Sequence, residues 1–207
     1  MSNIQEFTGE LSAPASFWHN FPDIGIKKWV LISSVIFIIG LLFGSIGLDV
    51  DASGAGDTGY LQELAESLDT LSTSDILMVI LVNNILTLIL CFVFSPILCL
   101  LPLLSLFING WIISFVGSMA IQEESLGYFL LGILPHGIIE IPALILAQAA
   151  ALSLGTMTIA AIIKEEKREA LLPNLRKNIK YLGIALLLLI PAAIIETYIT
   201  PVILNNL

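Results

Sequence analysis

The side chains in this sequence that are equipped for chemistry are few, and each is set among apolar neighbours. Asn83, Asn84, Asn109, His136, Glu140 and Glu196 all fall inside long hydrophobic runs. A carboxylate in hydrocarbon costs several kcal/mol unless it is neutralised, paired or hydrated, so Glu140 and Glu196 are expected to face protein or a wet cavity, not lipid. His136 and Glu140 stand four residues apart, which puts them on one helix face within reach of each other; the spacing leaves their protonation states open. Such groups can hydrogen-bond helices together at roughly 1 kcal/mol per contact, line a cavity for a small ligand or ion, or relay protons. His136, Glu140 and Glu196 are also metal-ligand types, but no HExxH is present and a His/Glu pair does not define a site, so no metal or other cofactor is expected. The sequence contains no GxSxG, no Walker motif, no dinucleotide fingerprint and no Cys/His pair with an orienting third group, which argues against an enzyme.

The elements that must position these groups follow from composition. Of 207 residues, 57% are hydrophobic and 12% charged, with a mean hydropathy of +0.98. The charged share is about half that of soluble domains, which excludes a soluble enzyme core. Apolar runs free of Lys and Arg cover Trp29 to Leu48, Ile76 to Ile121, Leu126 to Ile163 and Tyr181 to Leu204. Each reaches the roughly 20 residues that cross a bilayer as a helix. The 46 residues from Ile76 to Ile121 would extend about 69 Å as one helix, twice the need, so the run is expected to fold back at Ser95-Pro96. That gives helices at 76–94 and 97–121, with Pro102 distorting the start of the second. Pro135 is expected to divide the next run into a short interfacial or re-entrant piece at 126–134 and a full helix at 137–163. With a last helix at 181–204, the fold class is all-α, a polytopic transmembrane bundle of about five spans.

Charge sets the orientation. The formal net charge is −9, yet all eight basic residues lie in two clusters, Lys27 and Lys28, then Lys164, Lys167, Arg168, Arg176, Lys177 and Lys180. Basic flanks mark the cytoplasmic side, so both clusters belong inside a cell membrane, with the N-terminus inside and the C-terminus outside. Residues 1–28 read as a cytoplasmic interfacial segment and 29–207 as one transmembrane domain. Trp29 to Leu48 reads as a retained span, because no basic n-region or small-residue cleavage site accompanies it. Residues 49–75 form an acidic outer loop with seven acids and no base, read as a solvated face without calcium-loop spacing. No basic surface is available for nucleic acid. The loop from Lys164 to Lys180 is a candidate for anionic lipid headgroups at about 1 kcal/mol per base, diluted by Glu165, Glu166 and Glu169. On this layout Asn83 and Asn84 lie about 12 Å below the outer boundary, Asn109 about 18 Å and Glu196 about 12 to 16 Å, while His136 and Glu140 open their helix near the outer face. The polar groups thus converge in the outer half of the bilayer. Cys91 and Cys99 would be about 12 Å apart on one straight helix, too far for a disulfide, and read as packing residues.

Small residues mark the helix contacts. Gly40 and Gly44 form a small-xxx-small pair, and Ala143, Ala147, Ala151 and Gly155 recur every four residues as a smooth ridge, suited to close packing within the subunit or across a homodimer. The stretch from Leu134 to Gly155, LPHGIIEIPALILAQAAALSLG, with HG followed by E and PA in a small-residue helix, resembles the signature of the stage II sporulation protein M family. Asn83-Asn84, Asn109-Gly110 and AAIIETYITP at Ala192 to Pro201 resemble further segments of that family in the same order. The resemblance runs from about residue 83 to 201 and implies a multi-spanning, nonenzymatic membrane protein. It makes Asn83, Asn109, Gly110, His136, Gly137, Glu140, Pro142, Glu196 and Pro201 the positions to test. Members from spore-forming bacteria work with a cell-wall-degrading complex during engulfment, whereas many members come from organisms without spores. Ser114 departs from the small glycine expected after NG, and residues 1–28 and the acidic loop show no match. The expected function is a noncatalytic scaffold or transport-related subunit with the lipid bilayer and other membrane proteins as partners. The alternative is a channel or transporter for a small solute or protons.

Overall fold

The computed structural model describes residues 25–46, 72–97 and 99–206. The interfacial reading of residues 1–24 and that of the acidic loop over 49–71 lie outside the described residues. Within them the order is α1 (Ile26–Ile46), α2 (Thr73–Phe94), α3 (Leu100–Glu123), α4 (Leu126–Ile163), a 3-10 turn (Glu165–Lys167), α5 (Arg168–Ile194), a π-helical turn (Ile195–Ile199) and α6 (Thr200–Leu204), without a strand. Five helical stretches are long and apolar enough to cross a membrane, the fifth running continuously over Glu165–Leu204. The protein is an all-α, multi-pass membrane protein.

Local signals explain most boundaries. Ser72 and Asp75 form a reciprocal capping box at the start of α2, the Ser72 hydroxyl accepting from the Asp75 amide and the Asp75 carboxylate accepting from the Ser72 amide, each at 3.3 Å. Two orphan donors of the first turn are satisfied in this way. The chain turns at Ser95-Pro96, and the fully buried Ser95 hydroxyl donates to the Phe92 carbonyl at 2.8 Å. Pro102 falls in the first turn of α3, where its missing N–H has no intrahelical acceptor to serve, so the helix accommodates it. Ser125 caps α4 by accepting from the Tyr128 amide at 3.1 Å.

Two expectations need correction. Pro135 does not divide the fourth run: α4 is one helix of 38 residues with Pro135 and Pro142 inside it. Losing one backbone hydrogen bond costs less than exposing a whole broken end to hydrocarbon. At about 57 Å the helix exceeds the hydrocarbon thickness, so it tilts or projects beyond it. The stretch 164–180 is not a loop either, because α5 begins at Arg168 and carries Arg176, Lys177 and Lys180 in its early turns. The Arg168–Glu165 ion pair at 3.1 Å is 60% and 84% exposed, where such pairs contribute little.

α4 is the hub. It packs against α1, α2, α3, α5 and α6, and every residue from Ala147 to Gly155 is buried, the signature of a helix enclosed on all sides. The core around it includes Phe37, Leu88, Leu106, Ala147, Leu152 and Leu189, while Ile38, Val79, Val116 and Leu187 point outward. The small residues serve contacts within the subunit. A Cβ on Gly40 would strike the Phe107 carbonyl and one on Gly110 the Phe37 carbonyl, so α1 and α3 meet backbone to backbone. Gly44 and the ridge of Ala143, Ala147, Ala151 and Gly155 are likewise buried, Gly155 against the Ser95 carbonyl and the Cys99 thiol. A homodimer would therefore need surfaces other than these faces. Cys91 is buried on α2 and Cys99 sits in the turn before α3, both free. The Ser95-Pro96 turn, not a straight helix, is what separates them.

Because a methyl group at Gly40 or Gly110 has a carbonyl in its place, Gly40→Ala and Gly110→Ala should each lower stability by about 1 to 3 kcal/mol. Gly183→Ala, where nothing lies within 4 Å, should not. Thermal unfolding in detergent checks this, and equal midpoints for all three variants would contradict the α1–α3 contact.

Candidate functional site

The polar site is built where four helical segments reach one level. With α4 starting at Leu126, His136 and Glu140 lie about 15 and 21 Å along it, deep in the helix, not at its mouth as the Pro135 division implied. Asn84 lies about 17 Å into α2, Asn109 about 21 Å before the end of α3, and Glu196 about 12 Å before the end of α6. All five distances run from the same end of the bundle, where the α3–α4 turn and Leu204 lie.

Side-chain geometry joins these groups. Asn84 Nδ2 donates to Glu140 Oε1 at 3.0 Å, tying α2 to α4. One ligand-type atom from each of His136, Glu140 and Glu196 lies within 4.8 Å of the others. Glu140 also lines a cavity of about 210 Å³ together with Asn83, Asn84, Thr87 and Asn109, closed by Leu88, Ile112, Leu144 and Leu189. Asn83 is exposed and stands at the rim, while Asn109 is half-buried and spends one donor on the Ser105 carbonyl of its own helix at 2.7 Å. Leu88 and Leu144 lie one helical turn beyond Asn84 and Glu140, and Leu189 precedes Glu196 by two. They form an apolar floor, none more than 9% exposed.

Glu196 owes its position to an irregular turn. Pro201 cannot donate to the Thr197 carbonyl, and the chain widens into a π turn just before it, with Thr200 Oγ1 donating to the Ile195 carbonyl at 3.3 Å. π turns inside α-helices re-aim side chains and recur at functional sites. His136 has a second outlook: it lines an apolar cleft of about 280 Å³ between α3 and α4, with Ile112, Val116, Tyr128 and Phe129 among its walls. Its Nδ1 is buried without a hydrogen-bond partner, as is Thr197 Oγ1 next to Glu196.

Two polar joints were not singled out from sequence. Gln148, fully buried on α4, donates to Ser105 Oγ at 3.0 Å. Asn178, 1% exposed, donates to Asn174 Oδ1 at 2.7 Å and to Ser153 Oγ at 3.1 Å, fastening α5 to α4. Gln148 was legible as the one amide in the alanine ridge. The i,i+4 spacing of Asn174 and Asn178 carries a signal only once the basic stretch is seen as helix.

Comparison with known proteins places the chain. The family model described as Stage II sporulation protein M matches residues 33–201, which contain all six polar positions. An uncharacterized protein of Methanocaldococcus jannaschii is 25% identical over 186 residues, covering 88% of this chain and 99% of that relative. A second uncharacterized protein of the same organism is 32% identical over 184 residues, covering 84% of this chain and 82% of its own. No solved structure matches the chain significantly.

Interhelical hydrogen bonds in membranes contribute about 0.6 to 2 kcal/mol. Asn84→Ala should therefore lower the thermal midpoint measurably, by more than Asn83→Ala at the exposed rim. A reversed order would place the Glu140 partner elsewhere.

Proposed function

The chain belongs to the stage II sporulation protein M family, and we propose that it works as a noncatalytic membrane subunit, a scaffold whose interior polar cluster fastens α2, α4 and the C-terminal helices around one small cavity. The observation that supports this reading best is the floor of Leu88, Leu144 and Leu189 beneath the polar cavity. A route for a solute or protons needs polar or hydrated positions on both sides of the bilayer midplane. Here the ionisable groups stop at one level and meet buried leucines. The Asn84–Glu140 bond at 3.0 Å is what a fixed joint requires. With the basic clusters on the cytoplasmic side, the cavity lies toward the exterior. Partner proteins, or further copies of the chain, then dock on the outward aliphatic faces of α1, α2 and α3, because the small-residue faces are filled from within.

The competing reading, a channel or proton-coupled transporter, draws on the same two carboxylates, and a single experiment separates the two. The full chain in proteoliposomes with an enclosed pH dye should pass no more protons than empty vesicles under an imposed gradient. Glu140→Gln and Glu196→Gln should leave that baseline and the oligomeric state unchanged. Wild-type flux that either substitution abolishes would replace the scaffold with a transporter.

A further inference from the structure

We propose that His136, Glu140 and Glu196 form a binding site for one divalent transition-metal cation of the zinc or manganese class, which clamps α4 to the C-terminal helical stretch; the role as a clamp rests on the scaffold reading above, the site itself does not.

The argument begins with charge. Two carboxylates in an apolar interior must be protonated, hydrated or compensated by positive charge. Yet every Lys and Arg of the chain lies outside the apolar runs that carry them, so among the described residues His136 is the one basic side chain at this level, against two carboxylates. A single divalent cation supplies two positive charges to two carboxylates and leaves a neutral site, with imidazole as an uncharged third ligand. Geometry agrees. The three donor atoms lie within 4.8 Å of one another, and ligand atoms bound at about 2.1 Å to a tetrahedral ion stand about 3.4 Å apart, so binding requires a contraction of up to about 1.4 Å. His136 and Glu140 supply two ligands from one face of α4. The π turn presents the third from a separate helix, so the ion would bridge two elements.

Three further features fit a metal centre. His136 Nδ1 is buried and unpartnered, although buried imidazole nitrogens are ordinarily satisfied. Asn84 Nδ2 holds Glu140 Oε1 at 3.0 Å, as an outer-shell donor orients a ligating carboxylate. The 210 Å³ cavity, lined by Glu140 and not by His136 or Glu196, can bring water to the Glu140 side of the cluster. The donor set selects the ion. One imidazole and two carboxylates suit zinc or manganese, whereas magnesium and calcium prefer oxygen alone and copper(I) needs sulfur. Cys91 and Cys99 are not members of the cluster.

The test uses the full-length protein in detergent, stripped with a chelator and dialysed against micromolar Zn²⁺ or Mn²⁺. Metal analysis should find one ion per chain, with a higher thermal midpoint than the stripped protein. His136→Asn and Glu196→Gln should lose the ion, and Asn84→Ala, which keeps all three ligands, should bind about 10- to 100-fold more weakly. Should those variants fail to fold, the Co²⁺ spectrum of the wild-type protein decides instead. Visible bands of nitrogen and oxygen ligation support the site, and a thiolate charge-transfer band would put the ion on cysteine and overturn it. Absence of binding, or undiminished binding by folded ligand variants, also overturns it. Metal-free protein in proton-tight vesicles would retire the cation and keep the scaffold, while metal-loaded protein in leaking vesicles would do the reverse.

Discussion

Most of this bundle answers to one constraint: a polar group held among lipid-length helices has to find its partner in the protein, and among the described residues Ser33 Oγ, His136 Nδ1, Gln148 Oε1 and Thr197 Oγ1 are the buried side-chain atoms that do not. Water satisfies such groups at the surface of a soluble protein, but hydrocarbon offers them nothing. The side chains of α2 and α4 comply through Asn84 and Glu140, those of α3 and α4 through Ser105 and Gln148, and those of α4 and α5 through Ser153, Asn174 and Asn178. α4 is party to each of these bonds. Its central position is thus set twice, by alanines and a glycine that admit neighbours closely and by amides and a carboxylate that tie them down. The two devices cooperate, because small residues that let the axes approach also shorten the reach that side-chain hydrogen bonds between helices must span.

Proline is the second organising element, and its placement is not random. Pro135 and Pro142 bracket His136 and Glu140 on α4, and Pro191 and Pro201 bracket Glu196 on the C-terminal stretch. Each withholds an N–H from the carbonyl four residues earlier, namely Leu131, Ile138, Leu187 and Thr197. None of them ends its helix. What they do is loosen the backbone locally while neighbouring helices hold it in place, and the π turn at Ile195–Ile199 is the visible consequence. The ionisable residues therefore sit on segments that lack a backbone hydrogen bond on either side, which is where a ligand able to draw three side chains together by up to about 1.4 Å would act.

How far the sequence foretold this depends on which force decided each feature. The spans, the turn at Ser95-Pro96 and the level shared by Asn84, Asn109 and Glu196 followed from length, hydropathy and helical rise, quantities that tertiary packing scarcely alters. Pro135 signals a break by its local penalty, but the larger cost of a broken helix end in hydrocarbon keeps α4 continuous and sets His136 and Glu140 deeper than a break there implies. The stretch from Lys164 to Lys180 departs from its local signal through packing instead. Its charges read as loop, yet Asn178 is buried against Ser153, so packing on α4 recruits it into helix. The π turn had no readable signal beyond Pro201, since a widened turn arises from the fit of the chain against its neighbours.

The composition of the cluster then limits what it can be. A joint made only to hold helices together is served by amides, as Asn174, Asn178 and Gln148 demonstrate elsewhere in this chain at no cost in charge. Carboxylates do the same task at far greater expense of desolvation, unless something cancels them. Glu140 and Glu196 lie beside a histidine, and Glu140 lines a cavity with Asn109 and Thr87, while the purely structural joints contain no ionisable group at all. That contrast within one molecule, amides where only packing is asked and acids with an imidazole where a cavity opens, is the strongest physical reason to expect at this level a neutralising partner that the amide joints do not need.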